Sequence, residues 1–151
     1  MSLHEGDLAP NIQLLTDAGG PFNLESLRGK KVVLYFYPKA STPGCTIESC
    51  EFRDTNKKFT KKGAVVVGIS PDTPKAQTTF KVNQSLPFTL LCDTEKKAAE
   101  AYGVYQEKNM YGKKVMGIVR TTFVIDEKGK LAKIFSKVKP EGHAEEVLAV
   151  L

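Results

Sequence analysis

A chain of 151 residues with 41% hydrophobic content is enough for one globular domain with a core of its own. Three cysteines, an odd number, exclude a secreted disulfide framework and suit a reducing, cytoplasmic setting, and no apolar run is long enough for a secretory core segment or a membrane span. The net charge of +5 is carried by lysines scattered from Lys30-Lys31 to Lys113-Lys114 without an interleaved aromatic motif, so the surface reads as solvated rather than as a nucleic-acid or membrane interface.

In chain order, residues 12–15 and 22–24 are short apolar pieces around Asp17-Ala18-Gly19-Gly20-Pro21, which predicts a small hairpin. Lys31–Tyr37 is a continuous β-prone run, the pattern of a strand buried on both faces. Gly44 to about Lys62 predicts a helix ended by Gly63. Ala64–Ser70 is a second buried strand, and Pro71-Asp72-Thr73-Pro74 opens a helix to about Asn83. Phe88–Leu91 reads as a short strand and Thr94–Tyr102 as a helix stopped by Gly103. Ile118–Ile125 and Lys130–Phe135 predict a hairpin around Asp126-Glu127-Lys128-Gly129. Pro140–Leu151 closes the chain as a helix, with Val147, Leu148 and Leu151 inward.

Strand–helix–strand first, then a hairpin and a closing helix, predicts a single α/β domain over residues 1–151: a thioredoxin-like sandwich, with a mixed β-sheet and helices on both faces. That architecture serves many activities, so function has to come from a site.

The informative stretch is Tyr35-Phe36-Tyr37-Pro38-Lys39-Ala40-Ser41-Thr42-Pro43-Gly44-Cys45, followed by Thr46-Ile47-Glu48-Ser49-Cys50. A strand ends in a tight Pro/Gly/Ser/Thr loop that delivers Cys45 to a helix N-terminus. Unpaired amides and the helix dipole favour negative charge there, so the placement suits a reactive thiolate. The plain alternative is a small buried hydrophobe. Thr42 is an N-cap whose hydroxyl can also accept from and donate to groups above the helix start.

Cys50 reads either as a second redox thiol or as a core residue. Five residues along a helix place two Cα atoms about 8.7 Å apart with side chains about 140° apart, whereas a disulfide needs Cα atoms within about 7 Å. A Cys45–Cys50 bond therefore requires the first helical turns to unwind. Cys45, Phe52 and Phe59 share the core-facing stripe, and Cys50 points away from it.

Arg120 lies in an apolar, β-branched run, where a guanidinium needs an anion; a thiolate or a surface carboxylate both fit. Cys92 reads as an inert core thiol. His4 and His143 have no partners at catalytic or metal-ligand spacing, and Cys-x4-Cys alone is a poor zinc signature.

At these residues the chain resembles the peroxiredoxins, and within them the peroxiredoxin Q or bacterioferritin-comigratory group. Pro38-x-x-x-Thr42-x-x-Cys45 matches the family's active-site motif, Cys50 falls where this group often carries its resolving cysteine, and Gly117-Ile118-Val119-Arg120-Thr121-Thr122-Phe123 is similar to its arginine strand. The similarity runs from Gly6 to the helix after Gly142-His143. It departs at Ala40-Ser41, where the family often has acidic residues.

The resemblance implies reduction of hydrogen peroxide and organic hydroperoxides. Cys45 is then the nucleophile, Arg120 and Thr42 hold the peroxide, Pro38 shapes the pocket, and Cys50 closes an intramolecular disulfide. It further implies no metal or organic cofactor, a thioredoxin or similar dithiol as reductant, and a monomer. The rival readings are a general thiol–disulfide oxidoreductase, against which the lack of Cys-x-x-Cys counts, and a redox sensor that oxidises without turnover.

Overall fold

The computed structural model describes residues 3–151. Its centre is β3 (Lys31–Phe36), in which Val32 to Phe36 are all buried. Alternate side chains enter opposite cores: Val32, Leu34 and Phe36 on one face, Val33, Tyr35 and the following Tyr37 on the other. β-Branched and aromatic residues fit such a doubly covered strand.

Around it lie β1 (Gln13–Thr16), β2 (Pro21–Asn23), β4 (Ala64–Ser70), β5 (Thr89–Cys92), β8 (Thr121–Ile125) and β9 (Leu131–Phe135), in the order β2-β1-β5-β4-β3-β8-β9. Strands β3, β4 and β5 run parallel, while β1, β8 and β9 join antiparallel to their neighbours. The sheet is mixed, as the element order implied.

Helices cover both faces. α1 (Pro43–Lys61), α2 (Pro74–Gln84) and α4 (His143–Leu148) bring Phe52, Phe59, Phe80, Ala144 and Val147 to one face; α3 (Lys97–Ala101) brings Ala98 and Ala99 to the other. Burying each large apolar side chain contributes roughly 1.5–3 kcal/mol. α1 starts with Pro43 in its first turn, where a missing N–H costs nothing. It stops at Gly63, whose φ of +74° suits glycine.

Three expectations need correction. Ile118–Ile125 is not one strand: Ile118 closes β7 (Lys113–Ile118), Val119 and Arg120 lie outside any strand, and β8 begins at Thr121. There the chain crosses from a separate two-stranded ribbon, β6 (Tyr105–Met110) with β7, into the main sheet. The ribbon itself is absent from the sequence-based expectation. It turns at Tyr111-Gly112 with φ of +54° and +79°, the positive pair that a two-residue hairpin turn demands. The helices expected over Thr94–Tyr102 and Pro140–Leu151 are also shorter. The Asp93 carboxylate accepts from Ala98 N–H and Ala99 N–H and starts α3 late, and Gly142 at φ +79° delays α4 to His143.

Candidate active site

The loop after β3 is shaped by its own polar contacts. Ala40 N–H donates to Asp72 Oδ2 at 2.7 Å, Ser41 adopts a φ of +65°, and Thr42 Oγ1 donates to the Lys39 carbonyl at 2.7 Å. Thr42 sits at the N-cap of α1, yet its hydroxyl accepts no capping bond from the helix. The first bond of the helix runs from Thr46 N–H to Thr42 C=O. Pro43 has no N–H, so Gly44 and Cys45 carry amides with no intrahelical acceptor. They leave partial positive charge at the end of the helix that carries the thiol.

Cys45 is buried in this first turn, and Arg120 Nη2 donates to its Sγ at 3.4 Å. The other arm of the same guanidinium, Nη1, donates to Glu48 Oε1 at 2.7 Å. The Arg120 side chain is 15% exposed and that of Glu48 0%. A Cβ on Gly44 would stand 3.1 Å from Arg120 Nη2, so the glycine keeps the arginine's path open. Burial pushes the Glu48 carboxyl up to about 7, against the opposing pull of Arg120.

Of the five residues singled out from the sequence, Cys45 and Arg120 are in contact and Thr42 lies one turn before the sulfur. Pro38 is half-buried in the loop below. Cys50 stands apart: it is half-buried, its Sγ donates to Gln84 Oε1 of α2 at 3.4 Å, and α1 runs unbroken through both cysteines. All three thiols are free. Cys92 is buried in β5 with its Sγ 3.7 Å from the Thr16 carbonyl, and burial pushes its thiol up to about 11.

Sequence reading passed over Glu48. Its position three residues after Cys45 and four before Phe52 puts a carboxylate on the buried face of the helix, and this was the available signal. It also missed the support beneath the loop. Tyr37 O–H donates to Gln77 Oε1, Gln77 Nε2 donates to Ser70 Oγ, and Ser70 O–H donates to the Asp72 carboxylate that holds Ala40. His143 has partners after all: buried on α4, its ring nitrogens meet Thr122 Oγ1 at 2.7 Å and Glu146 Oε1 at 3.0 Å. Among the described residues, no three His, Cys, Asp or Glu side chains are grouped to hold a metal, and no helix is long and apolar enough to cross a membrane.

Such a site can direct an oxidisable sulfur at a small polar substrate held by an arginine and backbone amides. Residues 6–134 match the family model of the AhpC/TSA family. A bcp protein of Coxiella burnetii is 51% identical over 151 residues, the whole of both chains. Peroxiredoxin Bcp of Bacillus subtilis is 46% identical, with 100% of this chain and 96% of that one covered. The crystal structure of a cysteine-to-serine mutant of Xylella fastidiosa PrxQ superimposes with a TM-score of 0.93 at 34% identity, covering 99% of this chain and 95% of that one.

Proposed function

The chain belongs to the AhpC/TSA family, in the Bcp and peroxiredoxin Q group, and is a peroxidase of the oxidoreductase class; on that premise we propose that Cys45 is the thiol oxidised by peroxide, Cys50 the thiol that resolves it, and a thioredoxin-type dithiol the reductant. The observation that carries this reading is the 3.4 Å contact between Arg120 Nη2 and Cys45 Sγ at the uncapped start of α1.

In the first step the Cys45 thiolate attacks one oxygen of hydrogen peroxide or an organic hydroperoxide. An S–O bond forms, the O–O bond breaks, and the leaving oxygen departs with the electron pair and takes up a proton as water or an alcohol. Arg120 and the amides of Gly44 and Cys45 stabilise the charge moving onto that oxygen. The Thr42 hydroxyl gives its proton to the Lys39 carbonyl. It therefore offers the peroxide lone pairs, accepting the peroxide O–H and orienting it. Pro38 walls the pocket and keeps water out.

Cys45 is then a sulfenic acid. The Cys50 thiol condenses with it, forming the S–S bond and releasing water, and the reductant returns both thiols by exchange. The burial and raised pKa of Cys92 favour Cys50 as the resolving thiol. We read the protein as a monomeric, cytoplasmic enzyme without metal or organic cofactor.

The test is hydrogen peroxide consumption coupled to NADPH through thioredoxin and thioredoxin reductase. Wild type should turn over and Cys45→Ser should fall below about a tenth of it, because a serine hydroxyl stays protonated near neutral pH. Oxidation without turnover would mark a sensor and overturn the recycling scheme. Disulfide reduction without peroxide activity would mark a thiol–disulfide oxidoreductase.

A further inference from the structure

Lys108 lies on β6, in the ribbon outside the main sheet. Its stem folds across Gly117 of β7, where a Cβ would come 3.0 Å from Lys108 Cδ. Its half-buried ammonium donates to the Ile118 carbonyl at 2.6 Å. Burial lowers its pKa, Arg120 lowers it further, and Cys45 raises it, so this lysine lies within electrostatic reach of both.

The peptide unit joining Ile118 to Val119 is held at both polar ends. Its carbonyl accepts from Lys108 Nζ, and its N–H donates to the Val104 carbonyl at 2.8 Å. Arg120 comes next, and its own carbonyl accepts from Val138 N–H at 3.0 Å. Val119 and Arg120 have no strand ladder to fix them, so these contacts hold them instead. Lys108 supplies one side chain among them, and Thr121, whose hydroxyl donates to the Val119 carbonyl at 2.8 Å, supplies another.

Charge balance gives a second reason. Arg120 is the guanidinium on Cys45, and Glu48, whose buried carboxyl is raised to about 7, sits 2.7 Å from it and is ionised above that pH. A Cys45 thiolate then sets two negative charges against one positive. A further cation, half withdrawn from water, restores the balance more effectively than an exposed lysine would.

We propose that Lys108 is a positioning residue of the peroxide site, clamping the peptide that aims Arg120 and supplying the second positive charge that acts on Cys45. This rests on the reading of Cys45 as the peroxide-reactive thiol. The other titratable groups facing Cys45 are Glu48 on its own helix, Arg120, and the hydroxyls of Tyr35 and Tyr37, both held protonated by burial. Glu51 and His143 face the same cluster from α1 and α4.

The experiment follows iodoacetamide alkylation of the Cys45 peptide by mass spectrometry from about pH 5 to 9, beside single-turnover oxidation by hydrogen peroxide. Lys108→Met keeps an unbranched stem over Gly117 and removes the charge and the donor. Its alkylation curve should move to higher pH by about one unit and its oxidation at neutral pH should slow about tenfold. Lys108→Arg should return both to within about threefold of wild type, since charge and donors are restored. An unmoved alkylation curve in a folded Lys108→Met protein overturns the proposal. A shifted curve in a protein that never consumes peroxide leaves Lys108 in its role and removes the peroxidase reading of Cys45 instead.

Discussion

Glu48 and Arg120 meet at 2.7 Å beneath the first turns of α1, and the second carboxylate oxygen of Glu48 is buried with no hydrogen-bond partner among the described residues. The ion pair is thus half satisfied. A buried acceptor left unpaired costs roughly 1–3 kcal/mol, and more when charged.

Glu48 should therefore make the fold lose stability as pH rises. Its carboxyl is raised from 4.5 to about 7 in the folded state. The folded protein binds the extra proton between those values, so the contribution is full below 4.5 and gone above about 7. Between about pH 5.5 and 8 this group alone should remove about 2 kcal/mol. Glu48→Gln removes the titration, and urea unfolding at the two pH values measures it. Parallel pH slopes for wild type and Glu48→Gln would contradict the buried, half-paired carboxyl.

His143 should act with the opposite sign. Burial lowers its pKa from 6.5, with Glu146 opposing. The unfolded chain takes up the proton first, so the contribution is full above 6.5 and declines as pH falls below it. His143→Gln should be less sensitive to acid over that window than wild type. A wild-type curve no steeper than the variant's would show that the ring is not held neutral between Thr122 and Phe135.

Gly44→Ala separates stability from reactivity. A methyl group there meets Arg120 Nη2 at 3.1 Å and Pro140 Cγ at 3.5 Å. Alanine is the better helix former by up to about 1 kcal/mol, so unfolding should be unchanged or slightly harder. Peroxide oxidation of Cys45 should nonetheless slow by about tenfold or more, because the guanidinium must shift by a few tenths of an ångström from the sulfur. Full activity in this variant would mean that Arg120 reaches Cys45 by a looser path than the one seen.

Much of this was legible in the residue order, and the exceptions have physical causes. β3 and α1 announce themselves through a doubly buried run and a Cys45–Phe52–Phe59 stripe. The β6–β7 ribbon has no face pressed into a core along most of its length, so its strands lack the alternation that marks a half-buried sheet. Tyr111-Gly112 was the remaining hint. Arg120 drew notice as a charge among β-branched residues, but its escape from the strand depends on Val104 and Val138, and nothing in the local pattern around Arg120 points to either. Lys108 meets the Ile118 carbonyl only because β6 pairs back on β7, a relation that no local pattern encodes.

The link between the two thiols yields the sharpest prediction. In the thiol form, α1 is continuous from Pro43 to Lys61, Cys45 shares the core-facing side of the helix with Phe52 and Phe59, and Cys50 meets Gln84. At helical spacing the two sulfurs cannot bond. Forming the disulfide must break Cys50–Gln84 and withdraw Glu48 from its buried pairing with Arg120. Beyond Cys50 the helix is fastened: Glu51 accepts from Gly142 N–H, Arg53 donates to the Gln84 carbonyl at 2.8 Å, and Phe52 is fully buried. Unwinding should therefore end there. Hydrogen exchange at residues 45–50 should speed up by about tenfold or more in the disulfide form and recover on reduction, while the turns after Arg53 stay protected. Cys50→Ser should stop at a sulfenic acid trappable by dimedone, with no such change in exchange. A mapped Cys45–Cys50 disulfide with unchanged exchange would show that the first turns of α1 are already open in solution, and the requirement for unwinding would fail even with the chemistry intact.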